Sequence, residues 1–191
     1  MAPWDKSLKK LDSDDVKIKI EGIKELGDFR AVECIGDLKR MLNDEHEDVI
    51  AEALVSMRKI ADVSVAELIV PFLEHKDNLI RGEAALAIGK LAEKGYSEGI
   101  EKLHPLLKDN VYFVRKCAVE ALQTCGNEKS VDALLEYFNR EDSSIEIKQM
   151  INSALGQIGR AKTMESLSKM IKEEQVEVRR SAIKALGESN Y

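Results

Sequence analysis

The sequence predicts an all-α fold: a right-handed α-α superhelix of five stacked helical hairpins with a half-repeat at each end, about twelve helices in all. Three observations predict it. One phrase, an apolar anchor followed by a basic residue, returns with anchors at Ile18, Val49, Ile80, Val114, Ile147 and Val178, at intervals of 31, 31, 34, 33 and 31 residues. Each return carries two apolar stripes of helical spacing split by a short polar turn. The composition, 34% charged and 44% hydrophobic with only 5% aromatic, is that of a helical protein and not of a β-sandwich or a disordered tail.

The elements follow in order as a single domain over 1–191. A half-repeat at 3–13 carries Trp4, Leu8 and Leu11 on one face, with Asp5, Lys6, Lys9 and Lys10 outward as a polar cap. Repeats then occupy about 14–43, 44–75, 76–108, 109–140 and 141–172, and a terminal helix occupies 173–191. Each repeat opens with a first-type helix. Four places after the anchor stand Gly22, Ala53, Ala84, Ala118, Ile151 and Ala182, and eight after stand Leu26, Met57, Ile88, Leu122, Leu155 and Leu186. That spacing is one helical face, with small residues where a neighbour must come close. A second-type helix comes before each anchor, its apolar places filled for example by Ile35, Leu38 and Leu42, or by Ile100, Leu103 and Leu107. Gly27 and Gly126 mark turns between the two helices. The last first-type helix, near 176–188, has no partner helix after it, so its outer side is open to contact. The chain is expected to be a monomer or to self-associate weakly through that helix.

Two rows recur once per repeat. Five places before the anchor stand Asp44, His75, Asp109, Asp142 and Glu173, acceptors suited to the start of a helix. One place after it stand Lys19, Arg81, Arg115, Lys148 and Arg179, with Ile50 the exception. Stacked, the rows form a ladder of ion pairs tying each turn to its neighbour. Pro71 and Pro105 share a place inside adjacent second-type helices, where each removes a backbone bond and is expected to bend its helix one turn from its end. Extra residues in "EKGYSEG" (93–99) are expected to lift Tyr96 onto an exposed ridge, and a longer loop, "NREDSSIE" (139–146), precedes the fifth repeat.

The stretches "DNLIRGEAALAIGKLA" (77–92), "DNVYFVRKCAVEAL" (109–122) and "EEQVEVRRSAIKALG" (173–187) resemble the HEAT repeat, in the short form named after phycobilisome lyase subunits. The resemblance spans nearly the whole chain and implies a HEAT-like solenoid. It is almost silent on activity, because the matched places are core and turn places.

Activities within the resemblance need side chains beyond the repeat. A di-iron hydroxylase of the deoxyhypusine hydroxylase kind places His-Glu pairs in several repeats, whereas here His46-Glu47 stands alone and His75 and His104 occupy other places. A DNA-repair HEAT protein needs a basic groove with aromatics, and this chain has a net charge of −6. There is no Gly-rich phosphate loop, GxSxG or HExxH. The bilin-lyase alternative rests on the shared repeat. Cys34, Cys117 and Cys125 fit no zinc spacing and read as reduced packing residues; on one helix the last two would lie roughly 12 Å apart, too far for a disulfide. No catalytic, metal or cofactor residue is assigned.

The expected function is therefore a non-catalytic scaffold holding a protein or peptide, with neither nucleic acid nor membrane as partner. With no apolar run near the length of a membrane span and no signal-like start, the chain is expected in the cytoplasm. Second-type helices are expected to line the concave side. Their outward row reads Asp5, Gly36, Glu67, Glu101, Asp132 and Glu165. Glu33 and Asp37 add to the negative early half, while Lys162, Lys169 and Lys172 make the late half positive. Glu67, Glu101, Asp132, Glu33, Asp37, Pro71, Pro105 and Tyr96 are the candidate partner-binding residues, centred on the second and third hairpins.

Overall fold

The computed structural model describes residues 2–158 and 161–188, with the side chains of 161 and 162, which include Lys162 of the positive late half, outside that description. Among the described residues are twelve α-helices and no strand. The first-type helices are α2 (Val16–Phe29), α4 (Glu47–Ile60), α6 (Asn78–Glu93), α8 (Tyr112–Cys125), α10 (Ile145–Ile158) and α12 (Val176–Glu188). The second-type helices are α1 (Asp5–Lys10), α3 (Ile35–Met41), α5 (Ala66–Ile69), α7 (Gly99–Leu103), α9 (Val131–Phe138) and α11 (Ala161–Met170). The terminal helix is thus described to Glu188, and 189–191 lie outside the described residues.

The core sits between the two layers. Val49, Ile80, Val114, Ile147 and Val178 are fully buried, as are Ala53, Ala84, Ala118, Ile151 and Ala182 four places on. Ile18 breaks the pattern at 42% exposed. It lies in the first turn of α2, the first helix of its layer, where no earlier first-type helix covers it.

Two kinds of contact hold the turns before first-type helices, and the turns at His75 and Asp109 have both. The acceptor five places before the anchor bonds the backbone N–H two residues on: Asp44 takes the His46 N–H at 3.0 Å, His75 the Asp77 N–H at 3.1 Å, and Asp109 the Val111 N–H at 2.8 Å. The arginine after the anchor reaches back to the turn's carbonyls. Arg81 donates to His75 O and Lys76 O, Arg115 to Asp109 O and Asn110 O, and Arg179 to Glu173 O and Glu174 O. In the turns at His75 and Asp109, groups orphaned at a helix end and at the next helix start are satisfied together.

The prolines do more than bend their helices. α5 stops at Ile69 and α7 at Leu103, and each chain continues as a 3-10 helix, Val70–Glu74 and His104–Lys108, with the proline near its start. Without an N–H at the proline, i→i+3 bonding replaces i→i+4.

Junctions between successive first-type helices alternate. Nine places after the anchor stand Gly27, Gly89 and Gly156. A Cβ added at these would lie 2.6 Å from Ser56 Oγ, 2.6 Å from Ala121 Cα and 2.8 Å from Ala185 Cβ. In the same three junctions the ladder is closed, by Lys19–Asp44 at 2.6 Å, Arg81–Asp109 at 2.8 Å and Lys148–Glu173 at 3.9 Å. In the other two junctions Arg58 and Gln123 hold the glycine's place. The ladder fails there as well: one has Ile50 and His75, and in the other Arg115 Nε turns to the Tyr137 hydroxyl at 2.9 Å while Arg140 takes Asp142. α4 meets α6, and α8 meets α10, less extensively than the glycine-paired helices meet. The expected ladder is an alternating one.

The two layers differ in closeness. First-type helices interlock along their length, whereas successive second-type helices touch sparsely and clefts of about 460 and 430 Å³ open beside them. A two-layer stack bends toward its closer layer, because the inside of a bend has the shorter arc. The first-type helices therefore form the inner, concave side. The expectation that second-type helices line it is corrected: they form the outer side.

Candidate partner-binding surface

The candidate residues all lie on the second-type side, but they do not form one patch. Glu101, Pro105 and Asp132 come together at the cleft of about 430 Å³ between α7 and α9. Its floor includes Leu107, Ala133 and the buried Tyr137. Glu136 adds a third carboxylate, bridged to Lys108 at 2.6 Å, and Glu101 is bridged to Lys129 at 3.1 Å. His104 also lines this cleft, its buried Nε2 without a partner, and burial holds its imidazole below the usual pKa. Pro105 is shared with the second cleft, of about 460 Å³, whose floor includes Leu73 and Leu106. The 3-10 turn after α7 thus stands as a wall between two openings.

Glu67 and Tyr96 are joined to each other instead. The Tyr96 hydroxyl donates to Glu67 Oε1 at 2.7 Å, bridging two hairpins. Tyr96 is half-buried against the core, its ring under 3 Å from where a Gly99 Cβ would be. Burial and the Glu67 carboxylate push its phenol up to about 12. This corrects the exposed-ridge expectation. Gly95, at φ 117, turns the chain so that Tyr96 N–H caps Leu91 O and the ring folds inward. The extra residues make a strut.

Pro71 is exposed on α5's 3-10 extension, Glu33 is exposed on the turn before α3, and Asp37 accepts from Arg40 at 3.1 Å. The carbonyl that Pro105 would leave free at Glu101 accepts the His104 N–H, so no open carbonyl patch forms there. The thiols of Cys34, Cys117 and Cys125 are free, and burial raises that of Cys117 to about 12, far from a reactive thiolate. Among the described residues no group of three or more His, Cys, Asp or Glu is placed to hold a metal ion, and no helix is long and apolar enough to cross a membrane.

Sequence reasoning missed a third opening, on the first-type side, of about 390 Å³ and lined by Arg30, Arg58, Lys59 and Lys90. Its signal was readable: Arg58 interrupts the row Gly27, Gly89, Gly156.

The sequence profile of HEAT repeats matches residues 5–89 and 66–145. The bilin biosynthesis protein MpeU of Synechococcus sp. (strain WH8020) is 33% identical over 101 residues, which are 53% of this chain and 33% of that protein; the chain spans about a third of the length of this curated relative. Among solved structures, the complex of CpcE and CpcF of phycocyanin lyase from Nostoc sp. PCC7120 aligns with a TM-score of 0.71 at 19% identity, covering 100% of this chain and 78% of that one. A designed armadillo repeat protein in complex with the peptide (KR)4 aligns with a TM-score of 0.66 at 22% identity, covering 99% and 100%. The solved structures share the fold.

Proposed function

The chain belongs to the HEAT-repeat family, in its phycobilisome-lyase-like short form, and from that premise we propose that it is a non-catalytic scaffold whose outer face holds a basic or mixed protein segment. The cleft between α7 and α9 is the observation that carries the reading. Three carboxylates, Glu101, Asp132 and Glu136, outnumber the two cations of the lining, Lys108 and Arg140, around an apolar floor wide enough for one or two side chains. Carboxylates above an apolar floor favour a cation carried on an aliphatic stem, which is the chemistry of Lys and Arg. The armadillo relative that holds (KR)4 supplies a defined probe of that chemistry.

Fluorescence anisotropy of labelled (KR)4 tests the reading. Glu101→Lys with Asp132→Lys, both exposed, should leave stability within about 0.5 kcal/mol and weaken the peptide about fivefold or more. Equal binding by wild type and double variant would remove the site.

A second reading is favoured by the identity with MpeU: a subunit of a lyase-like enzyme in bilin chemistry. Mixing the purified chain with a free bilin and following the visible spectrum separates the two. A stoichiometric spectral change supports this second reading and overturns the scaffold.

A further inference from the structure

The first-type helices share one set of register places, and α12 fills them as the others do while leaving them uncovered. Five places after the anchor stand Ile23, Leu54, Ala85, Val119 and Asn152, all fully buried, and then Ile183, which is 59% exposed. Nine places after it, Gly187 repeats Gly27, Gly89 and Gly156. Each of those three lies under a small residue of the next first-type helix, Ser56, Ala121 or Ala185. Among the described residues, an added Cβ at Gly187 meets nothing within 4 Å. A helix stop does not explain this glycine. Gly126 stops α8 at φ 55, and among the described glycines only Gly95 joins it at positive φ. Gly187 instead lies within α12.

Arg179 is set in the same way. In the closed junction after α6, Arg81 holds its own turn through Nη1 and grips Asp109 of the next turn through Nε at 2.8 Å and Nη2 at 3.1 Å. Arg179 Nη1 likewise holds its own turn, at 2.8 Å from both Glu173 O and Glu174 O. Among the described residues its Nε and Nη2 have no partner, and unlike Arg58 Nε they are not enclosed. A guanidinium edge of that shape suits a carboxylate at both oxygens. Half of a closed junction therefore stands on α12: a fork for an acid, a floor for a small residue, and Ile183 between them on one stripe.

We propose that the outer face of α12 docks a helical hairpin of the same repeat kind, carried by a second protein. Its turn supplies an Asp or Glu to Arg179, and its first-type helix lays a small residue on Gly187. A second copy of this chain is the obvious rival, since α1 and α2 form such a hairpin. It does not fit. Ser13 stands at the acid's place, its Oγ accepting the Asp15 N–H at 3.1 Å as Asp44 accepts that of His46. Glu25 stands where the later helices have Ser56, Ala121 and Ala185. Its carboxylate is held by Ser7 at 2.6 Å and Lys10 at 2.7 Å, and pressing it onto Gly187 would break those bonds and bury a charge. The same mismatch keeps the chain from adding to itself end to end, as a head-to-tail contact otherwise does without limit.

The test uses the chain itself as the probe. Ser13→Asp with Glu25→Ala gives the N-terminal hairpin the pattern of a closed junction, and Gly187→Leu in the same molecule blocks its own α12. Sedimentation velocity should show wild type alone and the probe alone as monomers, and a one-to-one complex when they are mixed. Gly187→Leu in the wild-type partner should weaken that complex about tenfold or more, and Arg179→Gln should weaken it as well. Position 187 faces open space, so Gly187→Leu leaves the fold intact, and (KR)4 binding at the outer cleft should not change. Circular dichroism checks the probe's helices, and Glu25→Ser replaces Glu25→Ala if α1 loosens. A folded probe that forms no complex overturns the proposal, as does a complex indifferent to Gly187→Leu. Wild type associating with itself as concentration rises also overturns it, and makes a second copy the occupant.

Discussion

Lys19 and Asp44 meet at 2.6 Å with the carboxylate side chain only 9% exposed, and this pair sets an acid limit on the fold. Burial alone would raise Asp44. The Lys19 ammonium and the His46 N–H and ring outweigh it and carry the group from 3.8 to about 2. A folded pKa below the unfolded one contributes stability that is complete above the unfolded value and is lost as pH falls through the folded value. The window therefore runs from about pH 4 to about pH 2, and roughly 2 kcal/mol is at stake. Asp109, lowered by Arg81 and the Val111 N–H against burial, adds to the same limb. Urea midpoints measured across that window should fall, and Lys19→Met should flatten the fall. Tyr96→Phe removes the bond to Glu67 and should cost about 1 kcal/mol in a denaturant titration, with the partner surface otherwise unchanged. The ladder residues were legible because they recur at one register place. Tyr96 was not, because its partner lies 29 residues away in another hairpin and no periodicity names it.

Within single helices, glycine separates two opposed expectations. Gly36 in α3 has nothing within 4 Å of an added Cβ, and Gly89 in α6 has the Ala121 backbone at 2.6 Å. Helix propensity alone would stabilise both alanine variants by about 1 kcal/mol. Gly36→Ala should gain part of that. Gly89→Ala should instead lose about 1–3 kcal/mol, since α8 must move as a whole to make room. Opposite shifts in melting temperature check the pair, and a gain at Gly89 would refute the close approach. The helices themselves were legible from spacing, for the anchors after Ile18 and the fourth-place alanines fall where burial is complete. The switch to 3-10 geometry after Ile69 and Leu103 was legible only as a disturbance. A proline announces the missing bond, and the neighbouring carbonyls decide what replaces it.

For the whole array, neighbours carry the stability, so damage at the centre should cost more than damage near an end. Leu122→Ala empties a fully buried place in α8 and should cost about 2–5 kcal/mol. Arg179→Ala, whose bonds go to two turn carbonyls next to α12, should cost much less. Equal losses in a denaturant titration would contradict the stacked arrangement. The direction of bend was the part the sequence concealed. Repeats reveal that two layers exist, but curvature is a difference between two spacings. That difference comes from contacts such as Gly89 on Ala121, made between repeats and absent from any one of them.

The alternation of glycine-closed and glycine-free junctions makes the molecule an uneven spring. Helices α2 with α4, α6 with α8 and α10 with α12 are expected to act as three stiffer blocks in series, joined by two softer links at Arg58 and Gln123. A load between the ends would be taken up first at the links, and an optical-trap trace should show two small yields before any block unfolds. The concave opening at Arg58 can widen or narrow at little elastic cost while the blocks on either side keep their shape.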